Sequence, residues 1–404
     1  MNAVGIDVSK GKSTVTVLQP FGVVIAKPFE VLHTADELKK LVTFIKSLSG
    51  ETKVVMEYTG SYYEPIANAL YEAGIFVSVV NPIIINDYST NRVRKVKTDR
   101  VDALRIAAFT LDRWLELRKY EPADTIRKTL KVMNRQCLNL NRILVMQKNN
   151  LISLLDSVFS GANYLFTSPC RETDGYEKWV DFVLKFPHVD TVAKLSLSAF
   201  KVKYHSWCRK EEYRYSEPKA EKIHKNARTL VSTIPPTESI KMVISEAAKA
   251  LNSTLEALEK LHSEMDALSA RLPEYEAVMD MYGVGKILGS QLIAEIGDIR
   301  KLHSGKALVA MEGIDPPPHQ SGTVDTRSRS ISKRGSPALR KTLFQVIGVY
   351  LQRQPENEPV YQFLEKKRTE GKPYKVYMIA AAHKFFAFTT QGSRKLCPHN
   401  SIYS

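Results

Sequence analysis

Val96-Lys97-Thr98-Asp99-Arg100-Val101-Asp102-Ala103-Leu104 opens a segment whose apolar residues recur with helical spacing. Asp99 and Asp102, three apart, should therefore leave one face of a first helical turn. Two like charges held that close repel. On a solvated surface the repulsion is tolerable and an acid near a helix N-terminus is favoured, so the ordinary reading of such a pair is an N-cap and one exposed carboxylate. Two acids far upstream change its weight. Asp7 sits near the end of Ala3-Val4-Gly5-Ile6-Asp7-Val8 and Glu57 ends Lys53-Val54-Val55-Met56-Glu57, both runs of β-formers. In α/β domains functional groups collect at the carboxyl ends of strands. Four carboxylates, two from strand ends and two from one helix face, can hold a pair of hard divalent cations such as Mg²⁺. Paired metals about 4 Å apart activate an attacking oxygen and stabilise the leaving oxygen of a phosphodiester.

Around these acids the first part of the chain alternates strands and helices. Val4 to Val8, Ser13 to Leu18 and Val23 to Val31 read as three strands, turned at Gly11 and at Gln19-Pro20-Phe21-Gly22, with an antiparallel meander as the simplest connection. Thr34 caps a helix carrying Leu38, Leu41, Phe44 and Ile45 on one side, and Gly50 ends it. After the Glu57 strand come a helix with Ile66, Leu70 and Tyr71 inward and a strand, Phe76 to Val80, closed by Asn81-Pro82. Three strands, helix, strand, helix, strand and an acid-bearing helix is the order of an RNase H-like domain. Arg92, Arg94, Lys95 and Lys97 lie directly before the aspartates. Such a run is often only a solvated face, but beside a metal-holding acid cluster it suits a phosphate backbone.

From Thr125 to about Val158 the pattern becomes heptad. Leu130, Met133, Cys137, Leu140, Leu144, Gln147, Leu151, Leu154 and Val158 form an a/d seam. Ile244, Leu251, Leu255, Leu258, Met265, Leu268 and Leu272 repeat the theme. The two runs can pack as an antiparallel hairpin or between subunits, and Cys137 is then a small buried residue. Between them, residues 160–237 lose the period and gain aromatics. Glu177 to Phe186, Val192 to Phe200 and residues 217–231 are expected as short helices. His188, His205 and His224 share no ligand spacing and are taken as structural or exposed. The expected fold class is α/β plus all-α, with a domain over 1–122, a coiled-coil region over 123–275 that holds the 160–237 insert, and a mostly helical domain over 276–404.

A chain of 404 residues with 44% hydrophobic content supports two or three ordinary cores. Its net charge of +15 points to a polyanionic partner, nucleic acid first. No apolar run approaches the ~20 residues of a membrane span, and no signal-peptide layout opens the chain, so a cytoplasmic, nucleoid-associated protein is expected with no membrane contact. Cys137, Cys170, Cys208 and Cys397 are scattered, without a Cys-x-x-Cys pair, so neither a disulfide framework nor a zinc site is indicated.

Met281-Tyr282-Gly283-Val284-Gly285-Lys286 suits a helix-hairpin-helix turn, with Gly283 and Gly285 leaving the backbone open to a DNA phosphate, though a tight turn without ligand reads the same. Asp298 and His303 are conceivable acid or base groups with nothing to tie them to a nucleophile. Gly313-Ile314-Asp315-Pro316-Pro317-Pro318-His319-Gln320-Ser321-Gly322 is irregular and proline-stiffened. From Thr326 to Lys341 follow six basic residues, Arg327, Arg329, Lys333, Arg334, Arg340 and Lys341, and no acid, a field suited to a phosphate backbone. Most serines in such loops only cap a turn; Ser321, beside that field, could also attack phosphorus.

Asp7 in Gly5-Ile6-Asp7-Val8-Ser9-Lys10, Glu57 in Met56-Glu57-Tyr58-Thr59-Gly60, Lys97-Thr98-Asp99-Arg100-Val101-Asp102-Ala103, Gln320-Ser321-Gly322 and Ile331-Ser332-Lys333-Arg334-Gly335 together resemble the DEDD transposases of the insertion-sequence family one-ten. The match runs in order through both ends of the chain. The resemblance implies a RuvC-like N-terminal domain, a coiled coil used in oligomerisation, and a C-terminal transposase domain with a catalytic serine. It also implies a recombinase that uses Mg²⁺ and is guided by a bridge RNA. Asp7, Glu57, Asp99 and Asp102 fall on the metal-binding tetrad of that family and Ser321 on its nucleophile. The chain departs from the family's pattern at Asp315-Pro316-Pro317-Pro318 and in the length of the 160–237 insert.

The expected activity is cutting and rejoining of double-stranded DNA, at element ends and target, through a phosphoserine intermediate, by a homo-oligomer, dimer or tetramer. A RuvC-like nuclease or junction resolvase, in which the four acids act on water and Ser321 is structural, is the alternative. A silent nucleic-acid-binding scaffold is the third reading.

Overall fold

The computed structural model describes residues 1–89, 98–171, 174–299, 305–315, 320–321, 324–325 and 330–396. The chain divides into two compact units, Met1–Ala123 and Asp124–Ser404. Arg92, Arg94, Lys95 and Lys97, together with Arg327 and Arg329, lie outside the described residues, as does His303.

Met1–Ala123 is built on β1 (Asn2–Ser9), β2 (Lys12–Gln19), β3 (Val23–Leu32), α1 (Ala35–Ser47), β4 (Thr52–Glu57), α2 (Glu64–Glu72), β5 (Phe76–Val80), α3 (Pro82–Ser89) and α4 (Asp99–Asp112). The strands form one five-stranded sheet in the order β3-β2-β1-β4-β5. β2 runs antiparallel to β1 and β3, whereas β4 lies parallel to β1 and β5 parallel to β4. That is the expected meander followed by parallel additions, an RNase H-like α/β fold.

Period-two alternation assigns the faces. Val4, Ile6, Val8, Val54 and Met56 share a core with Leu41 and Ile45 of α1 and Ile66 and Leu70 of α2. Val55, on the opposite side of its strand, packs with Ile85 of α3 and Ile106 and Phe109 of α4. The sheet is thus covered on both sides, with α4 on the face that Gly5 and Val55 present.

Asp124–Ser404 begins with α5 (Thr125–Val158) and continues through α6 (Lys178–Lys185), α7 (Asp190–Ala193), α8 (Leu197–Lys210), α9 (Glu217–Ala227) and α10 (Glu238–Ser269). Leu130 and Cys137 of α5 share a cluster with Leu258 and Met265 of α10. Leu151, Leu155 and Val158 share another with Ile244, Ala248 and Leu251. Early α5 therefore meets late α10 and the reverse, which makes an antiparallel pair within one chain. Cys137 lies buried with its Sγ 3.6 Å from Met265 Sδ, and burial pushes the thiol up to about 11, so it is inert packing.

The insert proves to be a small helical bundle whose core is shared with the α5–α10 pair. Phe182 of α6 meets Tyr204 and Trp207 of α8 edge to face, as Phe186, just past α6, meets Phe200, and Phe200 stacks on Tyr204 within α8. The helix expected from Val192 to Phe200 does not form. α7 stops at Ala193, and Ser196, whose Oγ accepts the Ala199 N–H at 3.2 Å, starts α8 afresh. His188 and His224 are buried, each ring donating to a carbonyl, of Ile234 at 2.9 Å and of Leu195 at 2.8 Å, as structural histidines should.

The remainder comprises α11 (Tyr275–Met279), α12 (Lys286–Ile296), α13 (Gly305–Glu312), the short strands β6 (Gln320–Ser321) and β7 (Val324–Asp325), α14 (Pro337–Arg353), α15 (Pro359–Thr369) and α16 (Tyr374–Leu396). Leu292, Leu308, Leu339, Leu343, Leu364 and Phe386 tie these helices to the base of the α5–α10 pair in one apolar cluster. Among the described residues, no helix is long and apolar enough to cross a membrane.

Candidate active site

The end of the sheet at which Asp7 and Glu57 sit is set by register. Ile6 aligns with Met56 across the parallel β1–β4 pair, so Asp7 and Glu57, one residue further, lie toward the carboxyl ends of adjacent strands on the same face. It is the face of Gly5 and Val55, two residues earlier, and therefore the face that α4 covers.

α4 is seated on that face by a missing side chain. A Cβ on Gly5 would lie 2.3 Å from both the Ala103 carbonyl oxygen and the Ala107 nitrogen, so only glycine lets the helix backbone lie directly on β1. The helix direction follows from its two ends. At its start, Asp99 acts on Lys12 and Arg100 on Glu30, placing the first turn beside the β1–β2 turn. Just past its end, the Trp114 carbonyl accepts from Lys53 Nζ at 2.8 Å, beside the start of β4. α4 therefore runs antiparallel to β1 and β4, and its N-terminal turn, with Asp99 and Asp102, lies toward the strand ends that carry Asp7 and Glu57.

The capping function does not fall to either aspartate. Thr98 is the N-cap, its Oγ1 accepting the Val101 N–H at 3.3 Å. That leaves both acids available, Asp99 exposed and Asp102 half-buried. Asp102 Oδ1 accepts from Arg105 Nη1 at 2.8 Å, one turn on. Nearby, the buried Oγ1 of Thr59, just past Glu57, has no hydrogen-bond partner.

The donor set is carboxylate only, the chemistry a hard dication prefers over thiolate or imidazole sites. Asp7, Glu57 and Asp102 share a face and an end. Among the described residues, however, no three carboxylate, histidine or cysteine groups are drawn together as a closed ligand set. At Asp102 the Arg105 guanidinium supplies an opposing charge.

In Asp124–Ser404, Ser321 lies in β6, its backbone paired with Val324 in a two-stranded hairpin. Of the basic residues that follow it, Lys333, Arg334 and Lys341 are exposed, whereas Arg340 is half-buried and turned inward. Arg340 Nη1 donates to the carbonyls of Glu312 and Gly335. Gly283, at φ 77°, faces α14, since a Cβ there would lie 3.5 Å from Val349 and Tyr350. Gly285, with nothing within 4 Å of its would-be Cβ, is the open member of that turn.

Glu295 and Glu312 are among the buried acids that the sequence does not announce. Glu295, 1% exposed, accepts from Asn134 Nδ2, Arg135 Nη2 and Ser336 Oγ, each at 2.8 Å, and joins α5, α12 and the cap of α14. Glu312 closes the apolar run Ala307-Leu308-Val309-Ala310-Met311, a position where an acid could have been flagged. It is fully buried and neither carboxylate oxygen has a hydrogen-bond partner.

Comparisons with known proteins find matches at both ends of the chain. A DEDD transposase model of IS110 type, described as "Transposase", matches residues 4–160, and one described as "Transposase IS116/IS110/IS902 family" matches residues 275–362. The pilin gene-inverting protein of Moraxella lacunata is 21% identical over 337 residues, 83% of this chain and 78% of that one. The transposase for insertion sequence element IS1111A of Coxiella burnetii is 30% identical over 107 residues, 26% of this chain and only 29% of its own length. A solved structure, Thermus thermophilus RuvC in complex with a Holliday junction substrate, covers 30% of this chain at 14% identity and a TM-score of 0.24, with 99% of RuvC included.

Proposed function

Since the chain belongs to the IS110 family of transposases, we propose that it cuts and rejoins DNA at the ends of an insertion sequence through a phosphoserine intermediate. The observation that carries this is the seating of α4 on Gly5, which turns Asp102 toward the end of the sheet that bears Asp7 and Glu57. Asp7, Glu57 and Asp102, with Asp99 beside them, would hold Mg²⁺, which when bound supplies positive charge to a phosphate and favours a deprotonated oxygen.

Ser321 Oγ attacks phosphorus, losing its proton as the P–O bond to the departing DNA strand breaks and that strand leaves as a hydroxyl. The phosphoserine ester keeps the bond energy, so a hydroxyl from another DNA end can displace the serine and restore the diester. Lys333, Arg334 and Lys341, with Arg327, Arg329, Arg92, Arg94, Lys95 and Lys97, contact backbone phosphates, and the open backbone at Gly285 admits another. The relatives named for transposition and for gene inversion fit an enzyme that rejoins as well as cuts. A bridge RNA guides target choice in this reading, and the α5–α10 pair serves assembly into a dimer or tetramer.

The test is denaturing capture of protein on end-labelled donor DNA with Mg²⁺ and RNA transcribed from the element ends. Wild type forms a covalent adduct, whereas Ser321→Ala and Asp7→Asn do not. An adduct that survives Ser321→Ala removes the serine from the mechanism. A RuvC-like nuclease using water is the second reading, favoured by the fact that all four acids belong to Met1–Ala123. It predicts Mg²⁺-dependent breaks with free ends and no adduct.

A further inference from the structure

The stretch that carries Ser321 joins α13 to α14 in sequence, and its two roots, Met311 to Asp315 and Ser332 to Ser336, cross. Lys333 N–H donates to the Gly313 carbonyl at 2.9 Å, Ser332 N–H to that of Asp315 at 2.9 Å, and Ser336 N–H to that of Met311 at 2.7 Å. Ser332 Oγ adds a bond to Asp315 Oδ1 at 2.7 Å. The crossing is as close as backbones come. A Cβ on Gly313 would lie 2.4 Å from Gly335 N, and one on Gly335 would lie 2.0 Å from Met311 O.

Glu312 sits inside this crossing, fully buried, with both carboxylate oxygens unpartnered. Leu308, Ile314, Leu339 and Leu343, in the apolar cluster around the crossing, offer it no donor. The cation closest to hand, Arg340, spends its Nη1 on the carbonyls of Glu312 and Gly335, not on the carboxylate. Native proteins rarely bury a polar group without a partner, and such a group weakens whatever holds it there.

We propose that Glu312 is a positioning residue for Ser321, making the Gly313–Gly335 crossing a latch: closed, it keeps the acid buried and unpartnered, and opening releases the acid to water and lets the two roots of the stretch that carries Ser321 part. The purpose of the latch rests on the serine reading above; its existence does not. Burial supports it by pushing the Glu312 carboxyl up to about 9, against the pull of Arg340.

Among the described residues, the groups that face the crossing are few. From its own limb comes Asp315, engaged by Ser332; from the returning limb, exposed Lys333 and Arg334; from α14, Arg340. From α16 comes His383, bonded to the backbone of Ile314 and held by burial below the usual histidine range, hence neutral above pH 7. The closed state binds a proton that the open state has lost, so closure is favoured least at high pH. The loss runs from the ordinary carboxylate range up to the raised value and then stops.

Hydrogen exchange on the full chain tests this. With intrinsic rates removed, protection of the Ser332, Lys333 and Ser336 amides should fall about tenfold per pH unit between roughly pH 7 and pH 8.5. Amides of β4 in the same protein should show no such slope. Glu312→Gln, neutral at every pH, should abolish the slope, and Glu312→Asp should keep it. A flat wild-type profile overturns the latch, as does an equal slope in Glu312→Gln, and the wild-type slope decides even if a variant fails to fold. With DNA affinity unchanged, Glu312→Gln should slow covalent adduct formation at least tenfold near pH 8; an equal rate removes the positioning role. Repeating the exchange on Ser321→Ala separates the two readings, since the slope there needs no chemistry at Ser321.

Discussion

Gly5 decides whether the helix that bears Asp102 can lie on the face of Asp7 and Glu57. Adding one methyl there sets a carbon 2.3 Å from two backbone atoms of α4, neither of which can rotate away. Gly5→Ala should therefore lift the helix, costing about 1–3 kcal/mol of stability. Urea denaturation reads that loss, and Mg²⁺-dependent strand cleavage should disappear even in variant protein that remains folded. The glycine was visible in Gly5-Ile6-Asp7, but its reason was not, because close approach of a helix backbone is a tertiary fact. Asp7 and Glu57 were legible from their β-runs, since period-two alternation and a strand end depend only on neighbours in sequence. Glu312 was not. An acid closing an apolar helix usually reaches water, and only the crossing of Gly313 and Gly335 shows that this one does not.

Elements were read best where a single period governs them. Part of the expected seam of α5 lies buried against α10, at Leu130, Cys137, Leu151 and Val158, while Met133, Leu140, Leu144, Gln147 and Leu154 are only half-buried. The seam leaves Val145 outside, and Val145 is 60% exposed while Leu151 is fully buried. Leu151→Ala should cost about 2–5 kcal/mol and Val145→Ala about 0.5 kcal/mol or less, compared by chemical denaturation. The insert was obscure because large aromatics fill its core from several short helices, and no repeat survives in such packing. The first turn of α4 was half read. Two acids were placed on it correctly, yet the cap belongs to Thr98. Thr98→Ala should cost about 1 kcal/mol and fray the turn that holds Asp99 and Asp102. Thr98→Ser should restore both stability and cleavage, which a role for the threonine methyl would not allow.

Across the whole molecule, two properties follow from charge and from the division into units. An excess of 15 positive charges makes nucleic-acid affinity steeply salt-dependent, with log K falling by about 0.9 per phosphate neutralised for each decade of salt. Lys333 and Arg334 are exposed. Replacing both with Ala should reduce that slope by about two and leave thermal stability unchanged. The second property concerns Met1–Ala123, whose sheet and both covering cores are drawn entirely from its own residues. Expressed alone, it should fold and melt cooperatively, because no apolar residue of those clusters depends on Asp124–Ser404 for cover. If its acids hold a dication, Mg²⁺ binds the folded fragment and not the unfolded one, so at a hundredfold excess over the dissociation constant it adds about 2.7 kcal/mol. Asp7→Asn should remove the Mg²⁺-induced rise in melting temperature while leaving, or raising, stability without Mg²⁺, since one fewer carboxylate repels its neighbours at that end of the sheet. A fragment that folds but shows no shift with Mg²⁺, in wild type as in Asp7→Asn, would leave the shared face of Asp7, Glu57 and Asp102 without its metal.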